Sequence, residues 1–258
     1  ETDRGTGKHV IFKIKGIPVF YTPYLTFPLG LSRKSGFLMP SFGSSNSNGI
    51  DIRTPYYWNI APNMDATFTP RLLTDSGLMG MGEYRYLLKR GGGYLNVEYL
   101  ASDNTFNDQD RSYIDFSHEQ TFGRTGKLSL IYKRVSDKEY FEDLGTQLTT
   151  TSKRYLQRLA NVSYTGKWWK VSGRVQDYQI VDNSIAPTSQ PYQRLPQIRF
   201  TVFSPRGKNR LNFNLTSQFA FFDRGEEQTF ANSVNGFRFD LYPTVSYPMR
   251  SKAAYLTP

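Results

Sequence analysis

The feature that most constrains the fold of this chain is a long alternation of apolar and polar residues. Between positions 50 and 60, apolar Ile52 and Trp58 occupy even positions, while Asp51 and Arg53 occupy odd ones. A period of two is typical of a β-strand with one apolar and one polar face. The pattern recurs in about twelve segments between Gly36 and Tyr242, which predicts an all-β, antiparallel protein.

The length of these segments narrows the prediction further. Most of them run for about 8 to 13 residues, close to the roughly 9 to 11 residues with which a tilted strand crosses a bilayer. Strands of soluble proteins are usually shorter. The sequence therefore favours an antiparallel transmembrane β-barrel.

The connections between the segments fall into two kinds that alternate along the chain. Tight turns are predicted at 61–62, 89–92, 123–126, 165–166 and 204–209. The other connections are centred on Ser47, Asp75, Asn104, Asp143, Pro187 and Arg224. We expect the last four to be long, with polar loops at 101–110, 136–152 and 182–193. Tight turns at one end of the strands and long loops at the other are typical of outer-membrane barrels.

Composition excludes several classes of protein. The chain has no apolar run near the roughly 18 residues that a membrane helix needs, and no cysteine, which removes disulfides and thiolate chemistry from this stretch. Lys and Arg total 32 against 22 Asp and Glu, a net charge of +10. This charge favours polyanionic partners such as nucleic acid, phospholipid or lipopolysaccharide, although a merely soluble basic surface is the simpler interpretation.

Catalytic and metal-binding patterns are sparse. The two histidines, His9 and His118, lie in separate regions, so a Ser-His-acid arrangement would need groups from elsewhere. The segment that contains Asp103, Asp108 and Asp110 lacks the spacing and glycine of an EF-hand, and we expect a solvated acidic loop. The sequence predicts no enzyme, no metal site and no cofactor.

Three segments carry a family resemblance: Val19–Pro28, Lys34–Pro40 and Pro55–Thr67. They closely resemble the LptD family of lipopolysaccharide-assembly outer-membrane proteins, most strongly from about Gly16 to Phe68. The resemblance implies a very large barrel preceded by a periplasmic β-jellyroll. Residues 1–33 would then be the end of the jellyroll and a linker, where short strands around Gly16 are expected because prolines punctuate the segment. Residues 34–258 would be the N-terminal part of the barrel.

The resemblance also implies a function and partners. The function is transport of lipopolysaccharide and its insertion into the outer leaflet of the bacterial outer membrane, with the N-terminal part of the chain in the periplasm. The expected partners are lipopolysaccharide, the plug lipoprotein LptE, the periplasmic bridge protein LptA and outer-membrane lipids, without nucleic acid. The disulfides common in the family would involve cysteines outside this stretch. A general diffusion porin and, less favoured, an outer-membrane enzyme are the alternatives.

Two prolines stand out within otherwise regular strands. Pro40 and Pro55 have sequence numbers that place them at nearly the same height in a hairpin centred on Ser47 and Asn48. Proline cannot donate a ladder hydrogen bond, so the pairing of the first two strands should be weak there. Because the resemblance places the closing seam of the barrel beside the first strand, we predict a lateral gate at these prolines. A bulge or a strand end is the alternative interpretation.

Two further groups of residues complete the predicted site. Tyr56 and Trp58 lie close to the turn at Ala61 and Pro62, where a periplasmic aromatic rim is expected. Charged residues on the polar faces should line the lumen, and their mixed signs indicate a hydrated interior. These lumen candidates are Asp51, Arg53, Asp65, Arg71, Glu83 and Arg85, followed by Arg111, Lys133, Lys170 and Arg174.

Overall fold

A computed structural model describes most of the chain. The described residues are 4–14, 16–28, 33–145, 154–182, 184–186, 189–204, 211–224, 235–247, 249–250 and 255–256. The predicted loop centre Pro187 and much of the predicted loop 136–152 lie outside them. No helix in this described part is both long enough and apolar enough to cross a membrane.

The N-terminal residues form a two-stranded antiparallel sheet. Its strands are β1 (Arg4–Ile14) and β2 (Ile17–Pro28), joined at Gly16, whose φ of 86° is a conformation that glycine adopts readily. The prediction of short strands here was wrong, since the strands contain 11 and 12 residues. Proline is tolerated because each strand has a neighbour on one side only within this sheet, which leaves the other edge without a ladder.

The next fourteen strands belong to one antiparallel sheet, with a separate pair, β17 (Met249–Arg250) and β18 (Tyr255–Leu256), after it. The strands of the large sheet are β3 (Gly36–Phe37), β4 (Ser41–Ser45), β5 (Gly49–Arg53), β6 (Tyr56–Ala61), β7 (Met64–Leu73), β8 (Gly77–Leu88), β9 (Gly91–Asp103), β10 (Gln109–Phe122), β11 (Gly126–Val135), β12 (Tyr155–Thr165), β13 (Trp169–Ile180), β14 (Gln193–Phe203), β15 (Asn212–Asp223) and β16 (Gly236–Ser246).

The predicted all-β, antiparallel fold is confirmed. We call β3 and β4 together the first strand, and β5 and β6 together the second strand, because each pair is one strand with an interruption. With that convention the described residues contain twelve strands between Gly36 and Ser246, in agreement with the prediction. Sequential strands pair as neighbours, which is the topology of a β-meander.

The connections differ in length largely as predicted, with two exceptions. One set covers 62–63, 89–90, 123–125, 166–168 and 204–211; the other covers 46–48, 74–76, 104–108, 136–154, 181–192 and 224–235. The connection predicted as a tight turn at 204–209 covers eight residues, more than the five of 104–108, and its residues 205–210 lie outside the described part. The loop predicted at 101–110 is shorter, because β9 continues to Asp103 and β10 begins at Gln109. Hydrogen bonds of Asp103 and Asp110 hold both strand ends.

The chain divides into two compact units, and each has its own buried apolar residues. The first unit contains residues 1–86 and 98–110, with Leu73, Met79 and Leu100 fully buried. The second contains residues 87–97 and 111–258. In the second unit the short helix α1 (Tyr140–Asp143) follows β11, and both Tyr140 and Phe141 pack against the ring of Tyr113.

Candidate functional site

The sheet of the first unit has an exposed apolar face and a buried polar face. Trp58 and Phe68 are each 56% exposed, whereas Asp65 and Arg71 are each only 4% exposed. In a soluble protein large apolar side chains are usually buried and charged ones exposed. The reversed arrangement is the one expected where the exposed face contacts lipid.

The second unit shows the same reversal in a cross-strand row. Val162 pairs with Gly173, Gly173 with Ile198, and Ile198 with Phe219. The three large apolar side chains in this row are exposed, while Gln218, which is next to Phe219 on β15, is buried. The alternation predicted from the sequence therefore separates an apolar from a polar face in both units.

The first two strands are interrupted at a single level. Gly36 and Phe37 pair with Tyr57 and Tyr56, and the ladder resumes only where Ser41 pairs with Arg53. Residues 38–40 and 54–55 lie outside the strands, and Pro40 and Pro55 are the last residues of the two gaps. We call this the proline level.

One backbone hydrogen bond bridges the first strand and the second strand at the proline level. The Leu38 N–H donates to the Pro55 carbonyl over 2.8 Å. Pro55 has no N–H with which to return the bond. Three residues of the first strand oppose two of the second, so the interruption is also a local irregularity of register.

A first charged cluster lies on the polar face beside the proline level. Asp51 accepts hydrogen bonds from Arg53 over 2.5 Å and 3.1 Å, and from Arg71 over 2.9 Å and 3.1 Å. Two strands contribute, because Asp51 and Arg53 are on β5 and Arg71 is on β7. The ion pair between Asp51 and Arg71 therefore connects the second strand to β7, in addition to their backbone pairing.

A second charged cluster is centred on Asp65 of β7, on the other side of the proline level. Its carboxylate accepts hydrogen bonds from Arg33 over 2.7 Å, from Arg85 over 2.7 Å and from the Tyr57 hydroxyl over 3.2 Å. Glu83 lies 3.2 Å from Arg85 Nε. The six lumen candidates on β5, β7 and β8 are thus gathered into these two clusters.

The aromatic residues Tyr56 and Trp58 lie on the exposed face, opposite to Tyr57. Tyr56 packs edge-on against Phe37 of the first strand, with ring centroids 5.1 Å apart. Trp58 is more than half exposed and precedes the turn at 62–63. Their assignment to a periplasmic rim remains a prediction.

The remaining lumen candidates lie in the second unit. Lys133 contacts Asp115 over 2.8 Å, and Tyr94 donates to the same carboxylate over 3.3 Å. Arg111 is only 1% exposed and contacts Asp137 and Asp143. Lys170 and Arg174 share one face of β13; Lys170 is exposed and Arg174 half-buried.

The three connections at 46–48, 74–76 and 104–108 are joined by a buried polar group. Ser76 donates to Asn48 Oδ1 over 2.8 Å and lies 3.0 Å from the Thr105 hydroxyl, which in turn donates to Asp103 over 2.7 Å. The expectation of a solvated acidic loop was wrong for Asp103, whose side chain is fully buried. Gly49 is required here, because a Cβ at this position would overlap Thr74 Oγ1.

One charged group in a longer connection, Asp182, is bound by its neighbours in the chain. Asp182, just after β13, accepts hydrogen bonds from the hydroxyl and the backbone N–H of Ser184. These bonds hold the pKa of the Asp182 carboxyl below its usual value.

The two histidines lie apart from each other. His9 contacts the Tyr21 hydroxyl over 2.7 Å, and His118 pairs across the ladder with Leu130. Among the described residues no group of three acidic or histidine side chains is placed to hold a metal ion.

Sequence reasoning missed two residues of the Asp65 cluster. Arg33 precedes the first strand and carries no periodic signal. Tyr57 alternates with the exposed Tyr56 and Trp58, so its position on the polar face was visible in the pattern even though its bond to Asp65 was not. Identifying that bond requires the register in which Tyr57 pairs with Thr67 and Asn59 pairs with Asp65.

Comparison with known proteins gives many similar sequences. A protein named LPS-assembly protein LptD from Nitrosococcus oceani is 42% identical over 240 residues, which is 93% of this chain and 32% of that protein. The proteins of the same name from Vibrio vulnificus strain YJ016 and from Azoarcus sp. are 36% and 38% identical, over 100% and 98% of this chain. The chain spans about a third of the length of these curated relatives.

The family model described as LPS transport system D matches residues 109–258. The matched segment begins at β10 and is different from the segment 16–68 that carries the motifs noted in the sequence. More than half of the chain is therefore matched by the family model, and the relatives cover the remainder. The chain belongs to the LptD family.

Proposed function

We propose that the full-length protein transports lipopolysaccharide to the outer leaflet of the outer membrane and inserts it there. The observation that carries this proposal is the interruption of the first two strands at Pro40 and Pro55, in a sheet whose exposed face is apolar. A lipid with several acyl chains has to leave a barrel sideways, so one seam must open. The family membership supports the same function, because the curated relatives are named as LPS-assembly proteins.

We further propose that the barrel opens sideways through a lateral gate at the first strand. Residues 34–258 form the N-terminal part of the barrel, and the first strand lies next to the closing seam. Loss of ladder bonds at the proline level makes this strand easier to displace than a strand with a complete ladder, at about 0.5 to 1.5 kcal/mol for each missing bond. The gate opens toward the bilayer while the rest of the sheet keeps its pairing.

The polar face is the proposed path for the sugars. Its charged side chains are held in mixed-sign clusters around Asp51 and Asp65, and these clusters leave no large field of one sign. A hydrated, nearly balanced surface lets a polar saccharide pass without binding it tightly. The proposed mechanism contains no catalytic step and no cofactor.

The proposed location is the outer membrane, with the end of a jellyroll at 1–33 in the periplasm. The edges of the β1–β2 sheet offer backbone groups for strand addition, which suits a bridge of related jellyrolls such as LptA. The plug lipoprotein LptE is the proposed partner on the lumen side. Outer-membrane lipids contact the exposed apolar face.

Single-cysteine labelling tests the orientation. In the full-length protein, Glu142→Cys should react with a membrane-impermeant maleimide on intact cells, because its connection is proposed to be external. The control Arg124→Cys lies in a turn proposed to be periplasmic and should react only after the outer membrane is permeabilised. If only Arg124→Cys were labelled on intact cells, the orientation would be the opposite of the one proposed.

Depletion of the full-length protein tests the function itself. Newly made lipopolysaccharide should stop reaching the cell surface in depleted cells, and re-expression should restore its arrival. A diffusion porin would instead change the uptake of small hydrophilic solutes and leave lipopolysaccharide delivery intact. Intact lipopolysaccharide delivery in depleted cells would contradict the proposed function.

A further inference from the structure

A third proline lies at the proline level, on β7. The second strand keeps one register with β7 on both sides of the proline level, since Arg53 pairs with Arg71 and Tyr56 pairs with Phe68. Thr54 therefore faces Pro70, and the Thr54 N–H donates to the Pro70 carbonyl over 3.1 Å. The two residues form the kind of antiparallel pair that ordinarily exchanges two hydrogen bonds. Pro70 has no N–H, so the second bond cannot form.

The pairing of Leu38 with Pro55 has the same defect. There too one N–H donates to a proline carbonyl, and the proline cannot return the bond. At this level, the second strand therefore makes only one of the two usual backbone hydrogen bonds with each of its neighbours. The β4–β5 register extended by one residue places Pro40 opposite Thr54, so Pro40, Pro55 and Pro70 lie within one residue of the same height.

The defect at Pro70 affects only one side of β7. The N–H and C=O of a strand residue point in the same direction, and the Pro70 carbonyl points to the second strand. On the other side, β7 pairs with β8 without interruption from Met64 to Leu73, and Pro70 faces Gly80 there. The weakened region consequently ends at β7.

Contacts on both sides of the proline level keep the second strand attached to β7. Asp51 binds Arg71 on one side of Pro70, and Tyr57 binds Asp65 on the other. With both ends held and the middle half-paired, the second strand can bend at this level without separating from β7.

We infer that Pro70 is a third gate residue, which lets the first and second strands bend together against β7 when the seam opens. The inference rests on the proposed function and deepens it. Pro40 and Pro55 loosen the first strand alone, whereas Pro70 extends the deformable region by one strand. The opening through which an acyl chain leaves is wider when two strands bend than when one does.

The test restores the missing donor in the full-length protein, together with its native partners. Pro70→Ala and Pro70→Leu both supply an N–H facing Thr54, and position 70 lies opposite Gly80, which has no side chain. Lipopolysaccharide arrival at the surface should slow by about two- to twelvefold in both variants, at a folded amount matched to wild type. Hydrogen exchange should show the new amide at position 70 to be protected.

The matched control is Pro243→Ala, the same change in β16, where the proline pairs with Leu215. Delivery should be unchanged in this control. Normal delivery in both Pro70 variants with a protected amide, or equal slowing in the control, would overturn the inference. A difference between Ala and Leu at position 70 would also overturn it, because side-chain packing would then be the cause. Failure of the proposed function is separate: depletion of the wild-type protein would leave delivery intact.

Discussion

The first hairpin of the large sheet and the hairpin of β12 and β13 have the same topology but different pairing. β12 and β13 pair without a break over the eleven positions from Tyr155↔Ile180 to Thr165↔Lys170. The first strand and the second strand pair at two positions, lose the ladder at the proline level, and pair again at five. The comparison shows that backbone pairing is complete in one hairpin and interrupted in the other, and that the interruption lies where lateral opening is proposed.

Local sequence accounts for much of this difference. The first strand has Gly and Ser at most positions of β4, residues with little side-chain surface to pack across the ladder. β13 alternates Trp169, Val171 and Val175 with polar residues and has no proline. Beside the first hairpin, the charged clusters around Asp51 and Asp65 connect the second strand to β7, through Arg71 and Tyr57 respectively.

The largest expected effect comes from placing a charge on the exposed face of the regular region. Leu130→Arg on β11 should lower stability by about 2 to 4 kcal/mol, because arginine near the bilayer midplane is costly. Ser129→Arg is the matched control, since Ser129 pairs with Glu119 on the opposite face. Heat-modifiable gel mobility of the two full-length variants measures folding, and equal folded yields would mean that the two faces are misassigned.

A proline introduced into a regular strand tests whether its effect on stability depends on its position in the sheet. Ala160→Pro on β12 removes a donor from a strand that is paired with both Leu130 and Val175. We expect a loss of about 1 to 3 kcal/mol, since the partner carbonyl is left unpaired in the sheet. Ala160→Gly keeps the N–H and serves as the control. If urea unfolding gives the same midpoint for both variants, the ladder is not what distinguishes the two hairpins.

The Asp65 cluster gives a smaller effect. Asp65→Asn removes the charge that binds Arg33 and Arg85, and both arginines are more than half exposed, so we expect a loss of about 1 kcal/mol. Asp240→Asn breaks the exposed pair with Arg238 and should have almost no effect. Thermal unfolding compares the two variants. A larger drop for Asp240→Asn would contradict the role given to the buried carboxylate.

Alternation predicted the strands and their faces because it depends only on the nearest residues along the chain. It placed Asp51, Arg71 and Arg85 on one face correctly, since every second side chain of a strand points the same way. It did not predict that Arg71 binds Asp51, because that contact depends on the register between β5 and β7. The burial of Arg111 depends on residues 137–143 folding back, which no periodic pattern encodes.

The prolines show both the power and the limit of sequence reasoning. Symmetry about a turn placed Pro40 and Pro55 at nearly one height, and the structure has them in one interruption. The same symmetry about the turn at 62–63 relates Pro55 to Pro70, so the third proline was also accessible from spacing. The missing hydrogen bonds could not be predicted from spacing, because they depend on which neighbouring strand each proline carbonyl faces.

The most direct test of the gate is delivery in a variant that restores the pairing. Pro40→Ala combined with Pro55→Ala supplies two donors, which should shift the opening equilibrium by about fivefold to a hundredfold toward the closed state. Arrival of newly made lipopolysaccharide at the surface is measured in cells that depend on the full-length double variant, with folded amount matched to wild type. Delivery should be slower than in wild type, while folding and partner binding remain normal. Delivery at the wild-type rate would contradict the proposed gate and leave the prolines as ordinary strand irregularities.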